Sequence, residues 1–484
     1  MKHSQQPPPS PSGYKWTGLS TAFTFVLQII QTGVLARFLK VEDFGLMAIL
    51  YIIIRITDSF SDFGFGNILI QKQNLSHQVK STLFWLILFS SFLLSLLLYW
   101  AAPLSLFFFK NLHPQFIPSL QLMSLTFILL SIGTPFKLHF QKLLRFNEIA
   151  LSEIIGTLIG TITAISLAIN GHGIYSLVIG FLLTTTFKSL ILAVTHLKYW
   201  KPQFHFSLKD LQEHQRFGLF QLGEKGVNVL YSSIDKILTG SLLTSAHLGA
   251  YSIAYQMMGR PIILINTILN KVGFPLFSAI QDNPEKIRST YLELLKFIAL
   301  YIFPLCFGLF FVADYFFLVW LGPGWEESTH LFKILVFLGI FLGLSSPINN
   351  WMLGKGYVGL SFGLNVLGLV LNTGAVIIGS QYGIQGVAWG ILFSMGIFMF
   401  ILDLYLMKRY ENISPQLILK TIAPFLLMAL TMIGGLKLLQ LFIYFEDPLL
   451  SLLFFGVTGA SIYIGLVWTF YRNYLKSLLT RIFF

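Results

Sequence analysis

The sequence predicts an all-α polytopic membrane protein with about 14 transmembrane helices, arranged as two parallel six-helix repeats followed by two C-terminal helices. Three observations predict this fold: the composition, the length of the apolar runs, and matches between the two halves of the chain. Of the 484 residues, 55% are hydrophobic and 11% are charged, and the mean hydropathy is +0.74. This composition excludes a soluble globular chain and a disordered chain.

The apolar runs last about 20 residues or more, which is the length that a helix needs to cross a bilayer, whereas barrel strands alternate in polarity over about 10 residues. The predicted spans are 16–36, 44–64, 82–109, 117–140, 147–169, 174–197, 215–240, 247–275, 290–312, 329–352, 357–379, 383–407, 417–440 and 449–471. The first residues, MKHSQQPPPSPSG, lack the apolar region and cleavage site of a secretory signal, which predicts a disordered tail.

The basic residues of the connections predict the topology. With a cytoplasmic N-terminus, about 18 lysines and arginines fall on the cytoplasmic side and 4 on the other, namely Arg37, Lys40, Lys110 and Lys437. This bias places both termini in the cytoplasm and accounts for the net charge of +12 without a nucleic-acid partner. Since no connection is long enough to fold as a domain, we expect the function to lie among the helices.

Three pairs of short segments match between the two halves. They are LKVEDFG at 39–45 with LTSAHLG at 243–249, Pro135 and Gly156 with Pro347 and Gly368, and GIYSLVIG at 173–180 with GIQGVAWG at 383–390. The offsets are 243 − 39 = 204, 347 − 135 = 212 and 383 − 173 = 210. Because six is even, both halves have the same orientation. The predicted parts are a disordered cytoplasmic tail at 1–13, a six-helix half at 14–200, a second at 201–410, and two appended helices with a cytoplasmic tail at 411–484.

Charged side chains inside the spans are candidates for function. Arg55 lies 11 residues past Phe44, about 16 Å along a helix and close to the middle of a hydrocarbon layer of about 30 Å. Arg55, Asp58 and Asp62 share one helical face, and exposing that face to lipid would cost about 2.5 to 3.5 kcal/mol per charge. The face must therefore look into protein or a water-filled cavity.

Two arginines occupy nearly equivalent places in the repeat, since Arg55 is ten residues beyond Gly45 and Arg260 is eleven beyond Gly249. Guanidinium groups bind phosphate oxygens bidentately, so Arg55 and Arg260, with Lys225, are candidate ligands of a diphosphate in a cavity. The alternative is that Arg55 forms an interior ion pair with the carboxylate one turn away.

The acidic candidates for ion coupling or ion pairing are Asp58, Asp62, Glu224 and Asp235. Asp235 precedes Lys236, and neighbours on a helix point to different faces, so these two are not expected to satisfy each other. Glu153 and Lys188 add charges in the fifth and sixth spans. The chain has no phosphate-loop motif, no HExxH and no cluster with metal-ligand spacing, which predicts no metal, no cofactor and no catalytic residue.

Several stretches resemble the bacterial polysaccharide flippase family (Wzx type) of the multidrug/oligosaccharidyl-lipid/polysaccharide exporter superfamily. They are LARFLKVEDFGLMAI, SDFGFGNILIQKQNL, LGAYSIAYQ, VGFPLFSAIQDNPEKIRSTYLELLK and WLGPGWEES. The resemblance implies a cationic cavity with alternating access, which carries undecaprenyl-diphosphate-linked oligosaccharide from the cytoplasmic to the periplasmic leaflet of the inner membrane. It also implies that Arg55 and Arg260 engage the diphosphate. Membrane lipids, a polymerase and glycosyltransferases of the same pathway are candidate partners.

Three other functions are compatible with parts of the sequence. A cation-coupled multidrug exporter of the same superfamily would favour acidic side chains over the basic ones found here. A two-half facilitator would carry a basic GxxxDRxGR-like signature, where DFGFGNILIQKQ stands instead. A membrane glycosyltransferase would use an acidic pair such as Glu42 and Asp43, but it needs an ample external loop, and this connection is about five residues long. We therefore predict a transporter and not an enzyme.

Overall fold

The computed structural model describes residues 11–61, 75–109, 113–207, 222 and 226–483, and it is helical over most of them. The helices are α1 Pro11–Leu35, α2 Val41–Asp58, α3 His77–Ala101, α4 Ser105–Phe108, α5 Phe116–Lys142, α6 Phe146–Ile169, α7 Ile174–His196, α8 Ile234–Leu242, α9 Ser245–Ala279, α10 Pro284–Trp320, α11 Glu326–Leu344, α12 Ser346–Gly354, α13 Val358–Ser380, α14 Gly383–Ile391, α15 Met399–Glu411, α16 Pro415–Phe442 and α17 Pro448–Phe483. A short 3₁₀ helix, Ala102–Leu104, joins α3 to α4, and a π-helix, Leu392–Phe398, joins α14 to α15.

Within the described residues, 11 helical segments are long and apolar enough to cross a membrane. They coincide with 11 of the predicted spans, and the largest difference is the ninth, predicted at 290–312 and observed as the longer helix α10. The prediction of an all-α polytopic membrane protein is confirmed.

The other three predicted spans are not among these 11 segments. The second, predicted at 44–64, overlaps α2 over residues 44–58, and the 18 residues of α2 include the charged side chains Glu42, Asp43, Arg55 and Asp58. The eighth lies within α9, a continuous helix of 35 residues. Much of the seventh, predicted at 215–240, lies outside the described residues. Four charged side chains within 18 residues set α2 apart from the 11 segments.

The chain forms two compact units, Met1–Gly249 and Ala250–Phe484. In the first unit, α6 packs against α1 and α7, and α5 packs against α3 and α7. Helix α2 packs against α5 and α7 on the same unit. The predicted boundary at 200/201 follows the sequence repeat instead of contacts, and it stays a prediction.

Helices α6 and α7 pack along a line of small residues, which we call the small-residue seam. Its antiparallel rungs are Ala164 with Gly180, Gly160 with Thr184, and Gly156 with Lys188. A Cβ on Gly180 would lie 2.7 Å from Ala164 Cβ, and one on Gly160 would lie 2.5 Å from the Gly180 carbonyl oxygen. Such backbone approach is the usual way in which helices associate in membranes.

A second close approach, also in the first unit, joins the starts of α2 and α9. A Cβ on Gly45 would overlap the Ser245 carbonyl and lie 3.0 Å from the Gly249 nitrogen. A Cβ on Gly249 would overlap the Val41 carbonyl and lie 2.9 Å from the Gly45 nitrogen. The contact is reciprocal at an offset of 204 (249 − 45 and 245 − 41), which is the offset of the first sequence match.

In the second unit, α10 packs against α11 and against the last two helices, α16 and α17. Tyr463 of α17 donates its hydroxyl to the Leu300 carbonyl at 3.1 Å, and the Gln440 side-chain amide of α16 donates to the Tyr315 hydroxyl at 3.1 Å. An apolar groove of about 540 Å³ lies between these three helices. The two C-terminal helices are therefore integral to the packing of this unit.

Candidate functional site

Arg55 is an exposed side chain on α2. One turn before it, the ring of Tyr51 meets Phe181 of α7 edge-to-face, with 5.0 Å between the ring centroids. This contact fixes α2 against α7 and sets the level of Arg55 in the first unit. Since an arginine that faces lipid is costly, we expect the exposed face of α2 to border water.

The other acidic and basic candidates are placed as follows. Asp58 is half-buried, and the described ion pairs include none between it and Arg55. Arg260 is half-buried on α9 and belongs to the second unit. Asp62, Glu224 and Lys225 lie outside the described residues. The diphosphate-binding role of Arg55, Arg260 and Lys225 therefore stays a prediction.

Asp235 corrects one expectation. It is only 4% exposed in the first turn of α8, and Lys236 Nζ lies 3.7 Å from its Oδ2 atom. The two neighbours thus form an ion pair, although regular helical directions predicted that they would not. The pair stands at the very start of α8, where the flexible lysine stem can bend back over the first turn.

A cluster of three charges lies between α5, α6 and α7. Lys137 Nζ is 3.4 Å from Glu153 Oε1, and the two side chains are 42% and 32% exposed. Lys188 is half-buried and interacts electrostatically with both. The sequence pointed to Glu153 and Lys188 as charges inside spans but missed Lys137. The signal was present, since Lys137 also lies within a predicted span, two residues after Pro135.

The ends of α5 and α7 are joined by two histidines. His139 Nδ1 and His196 Nε2 are 2.6 Å apart, and His196 is fully buried among aromatic rings that include Phe136 and Trp200. This contact holds the ends of the two helices at one level. Lys137 and Lys188 lie near these same ends of α5 and α7.

A buried carboxylate in the second unit was also missed by the sequence analysis. Asp403 of α15 is 5% exposed, and Ser345, which lies between α11 and α12, is close to its carboxylate. Nearby, Glu411 accepts from Trp351 Nε1 at 2.8 Å and pairs with Lys355 at 3.2 Å. These groups are enclosed by protein, in contrast to the partly exposed charges of the first unit.

One residue of the acidic pair that was considered for an enzyme, Asp43, has a local structural role. The Asp43 carboxylate accepts a hydrogen bond from the Lys40 backbone N–H at 3.0 Å, at the start of α2. An acidic side chain in the first turn of a helix satisfies a backbone donor that has no partner within the helix. This contact accounts for Asp43 by helix capping.

Comparison with known proteins places these features in a family. Residues 34–330 match the family described as polysaccharide biosynthesis protein, which is more than half of the chain. The chain belongs to this family. It is 29% identical over 382 residues to the lipopolysaccharide biosynthesis protein WzxC of Escherichia coli (strain K12), covering 79% of this chain and 77% of WzxC. It is 30% identical over 351 residues to the teichuronic acid biosynthesis protein TuaB of Bacillus subtilis (strain 168), covering 72% of each.

Two solved structures superpose on this polysaccharide biosynthesis protein. The lipid II flippase MurJ superposes with a TM-score of 0.73 at 18% identity, over 95% of this chain and 99% of MurJ. A multidrug resistance MATE transporter superposes with a TM-score of 0.61 at 14% identity, over 80% of this chain and 94% of the other. The chain therefore has the fold of these two transporters, in agreement with the fold that the sequence resemblance implied.

Proposed function

We propose that the protein moves a polyprenyl-diphosphate-linked oligosaccharide from the cytoplasmic to the outer leaflet of a bacterial cytoplasmic membrane, by alternating access. It acts as a transporter and catalyses no bond change, and both termini lie in the cytoplasm. The observation that carries the proposal is the set of exposed charges inside the helices of a polysaccharide biosynthesis protein: Arg55 on α2 and the Lys137–Glu153 pair between α5 and α6.

The chemistry of such a substrate fits these side chains. A doubly substituted diphosphate carries about two negative charges, and its sugars are polar, so neither part crosses a hydrocarbon layer unaided. A water-filled cavity with basic walls replaces the lost hydration, and guanidinium and ammonium groups donate to phosphate oxygens. The polyprenyl tail needs no such cavity, because it stays in the lipid.

The names of the relatives support the substrate class. They concern lipopolysaccharide, teichuronic acid and, for the Rhizobium meliloti protein ExoT, succinoglycan biosynthesis transport. We infer that this chain serves the same kind of pathway, in which the lipid-linked unit is made on one side of the membrane and used on the other. Glycosyltransferases that build the unit and a polymerase that consumes it are the partners that this proposal requires.

The proposal is tested with purified protein in proteoliposomes that contain a labelled undecaprenyl-diphosphate oligosaccharide. The measurement is the fraction of label that becomes accessible on the opposite leaflet, for the wild type, Arg55→Ala and Lys333→Gln. Lys333 is a matched control because it is a paired cation in a span of the other unit, 2.6 Å from Asp314. We expect movement with the wild type and Lys333→Gln, and a loss of at least about tenfold with Arg55→Ala.

Two results would count against the proposal. If folded wild-type protein moved none of several lipid-linked glycans, the flippase function would be wrong, and cation-driven drug export would be tested next. If the Arg55→Ala variant transported at the wild-type rate, the transport function would be kept, but the proposed role of Arg55 would be wrong.

A further inference from the structure

The cluster of Lys137, Glu153 and Lys188 is the feature of the first unit that the predicted site does not use. It brings two ammonium groups to one carboxylate, with Lys137 Nζ 3.4 Å from Glu153 Oε1 and Lys188 interacting with both. The three residues come from three different helices that pack together. Their formal charges sum to +1.

The three groups lie at a similar depth. Glu153 is seven residues after the first residue of α6 (153 − 146), about 10 Å along the helix. Lys137 is five residues and Lys188 eight residues before the last residue of α5 and α7, about 7 and 12 Å. The loop between α5 and α6 and the His139–His196 contact place these three helix ends together.

The cluster is open to solvent. The side chains of Lys137 and Glu153 keep 42% and 32% of their accessible surface although both lie within membrane spans. An exposed charge is more stable in water than in lipid, so we expect this exposed surface to border water. The Glu411–Lys355 pair of the second unit is enclosed instead, with side chains that are 1% and 19% exposed.

The position of Lys188 depends on the small-residue seam. A Cβ on Gly156 would lie 2.5 Å from Lys188 Cγ and 3.0 Å from its backbone nitrogen. The missing side chain of Gly156 therefore leaves the space in which the lysine stem runs. Glu153 is one turn away on the same face of α6, so the stem is directed toward the carboxylate.

We propose that Lys137, Glu153 and Lys188 form a phosphate-binding subsite in which Glu153 is a built-in counter-ion that the phosphate of the substrate replaces. This inference rests on the proposed function and names further residues for it. In the empty state the carboxylate lowers the cost of holding two cations inside the membrane. In the bound state the phosphate oxygens take both ammonium groups.

Charge balance supports a diphosphate as the occupant. Helix α2 packs against α5 and α7, so Arg55 belongs to the same helix group. The two ammonium groups that Glu153 releases, those of Lys137 and Lys188, carry a formal charge of +2, which matches the charge of about −2 of a doubly substituted diphosphate. An acidic sugar of the glycan is the other possible source of anionic oxygens, with only one charge.

Binding is measured by isothermal titration calorimetry on the full chain in detergent, with farnesyl diphosphate as the probe and farnesyl monophosphate and glucuronic acid as the comparison ligands. The variants are Lys137→Gln, Lys188→Gln and Glu153→Gln, with Lys333→Gln as the control. We expect each of the first two lysine variants to raise the Kd for the diphosphate by at least about tenfold. Lys333→Gln should leave it unchanged.

Glu153→Gln gives the sharpest result, because a structural pair and a counter-ion predict opposite signs. Removing a competing carboxylate should lower the Kd by at least about threefold, and slower release should lower transport in the proteoliposome assay. A purely structural role predicts instead a lower Tm for Lys137→Gln and Glu153→Gln with no change in Kd.

The other outcomes of the binding experiment would overturn the phosphate-binding subsite. An unchanged Kd in both lysine variants, or no binding of farnesyl diphosphate by the wild type, overturns the subsite. Glucuronic acid binding that is lost in the lysine variants, with the diphosphate unaffected, also overturns it and assigns the cluster to an acidic sugar. The proposed function falls only if wild-type protein fails to move the lipid-linked glycan, so the two failures are distinguishable.

Discussion

The same kind of close backbone contact holds two helix pairs, α6/α7 in the first unit and α13/α14 in the second. The two pairs differ in the charge that lies beside this contact. Ala164 packs on Gly180 in the first pair, and a Cβ on Gly390 would lie 2.7 Å from the Ala375 carbonyl oxygen in the second. The offsets are 211 and 210 (375 − 164 and 390 − 180), close to those of the sequence matches. Both pairs therefore rely on close backbone approach at matching places.

The two pairs differ further along the chain. In the first pair, the small-residue seam continues to Lys188. The residue 210 positions later is Phe398, the last residue of the π-helix, and it lies on an apolar groove of about 690 Å³. The comparison teaches that packing and charge are set separately: the close contact recurs in both units, and a lysine stands in only one of these two positions.

The largest expected effect comes from breaking the close contact itself. Gly160→Val would push a side chain into the Gly180 carbonyl and Thr184, and Gly390→Val would do the same at Ala375. We expect each change to cost about 3 kcal/mol or more of folding free energy, because backbone cannot move aside as a side chain can. Size-exclusion chromatography and Tm in detergent measure this. If one variant lost its folded protein while the other kept a normal Tm, the two helix pairs would not depend on the same kind of contact.

The next effect concerns an enclosed charge of the second unit. Glu411→Ala leaves Trp351 Nε1 without its acceptor and Lys355 without its carboxylate, which we expect to cost about 3 kcal/mol. Transport per folded molecule should stay at the wild-type level, since this pair is structural. A normal Tm together with reduced transport would contradict the distinction between enclosed and exposed charges.

Lys188→Met makes the first pair apolar at this position, as the second pair is. Methionine keeps the length of the stem over Gly156, so the Tm should stay or rise, because a partly buried charge has been removed. Transport should fall by about tenfold, equivalent to about 1.4 kcal/mol. The proteoliposome assay checks the rate, and Gln at the same position serves as a polar control. Full transport by the methionine variant would make the lysine a packing residue.

The smallest effect is expected at a glycine that makes no close contact. Gly363 lies in α13, and a Cβ there would meet nothing within 4 Å. Gly363→Ala should therefore stabilise the helix by about 0.5 to 1 kcal/mol through backbone entropy. A slightly raised Tm checks this, and a lowered one would show that contact distances are a poor guide to the role of glycines in this chain.

The spans could be predicted because apolar length is a property of a continuous stretch of chain. The ends of α5, α6 and α7 differ from prediction by only a few residues, whereas α10 is longer because it continues past the apolar run to Pro284 and Trp320. The depth of Arg55 in the membrane was counted along the predicted span, and it stays a prediction. Contacts between helices did not, since they depend on how each helix is rotated about its axis.

That limit explains the two errors at the site. Lys137 lies within a predicted span, but its pairing with Glu153 joins two different helices, and neither sequence neighbourhood shows that pairing. Asp235 and Lys236 were expected to point apart because a regular helix was assumed, but the pair lies at a helix start. Sequence periodicity therefore predicts which charges enter the membrane better than it predicts which charges meet.

Gly156 has a consequence for how this site would be mapped genetically. A mutational scan that changes only ionisable residues would leave Gly156 out, because its side chain carries no charge and no polar atom. Yet the space left by its missing side chain is the space that the Lys188 stem occupies. Gly156→Ala would displace the Lys188 stem without altering the charge of the protein, so a loss of transport would arise from a residue that carries no charge of its own.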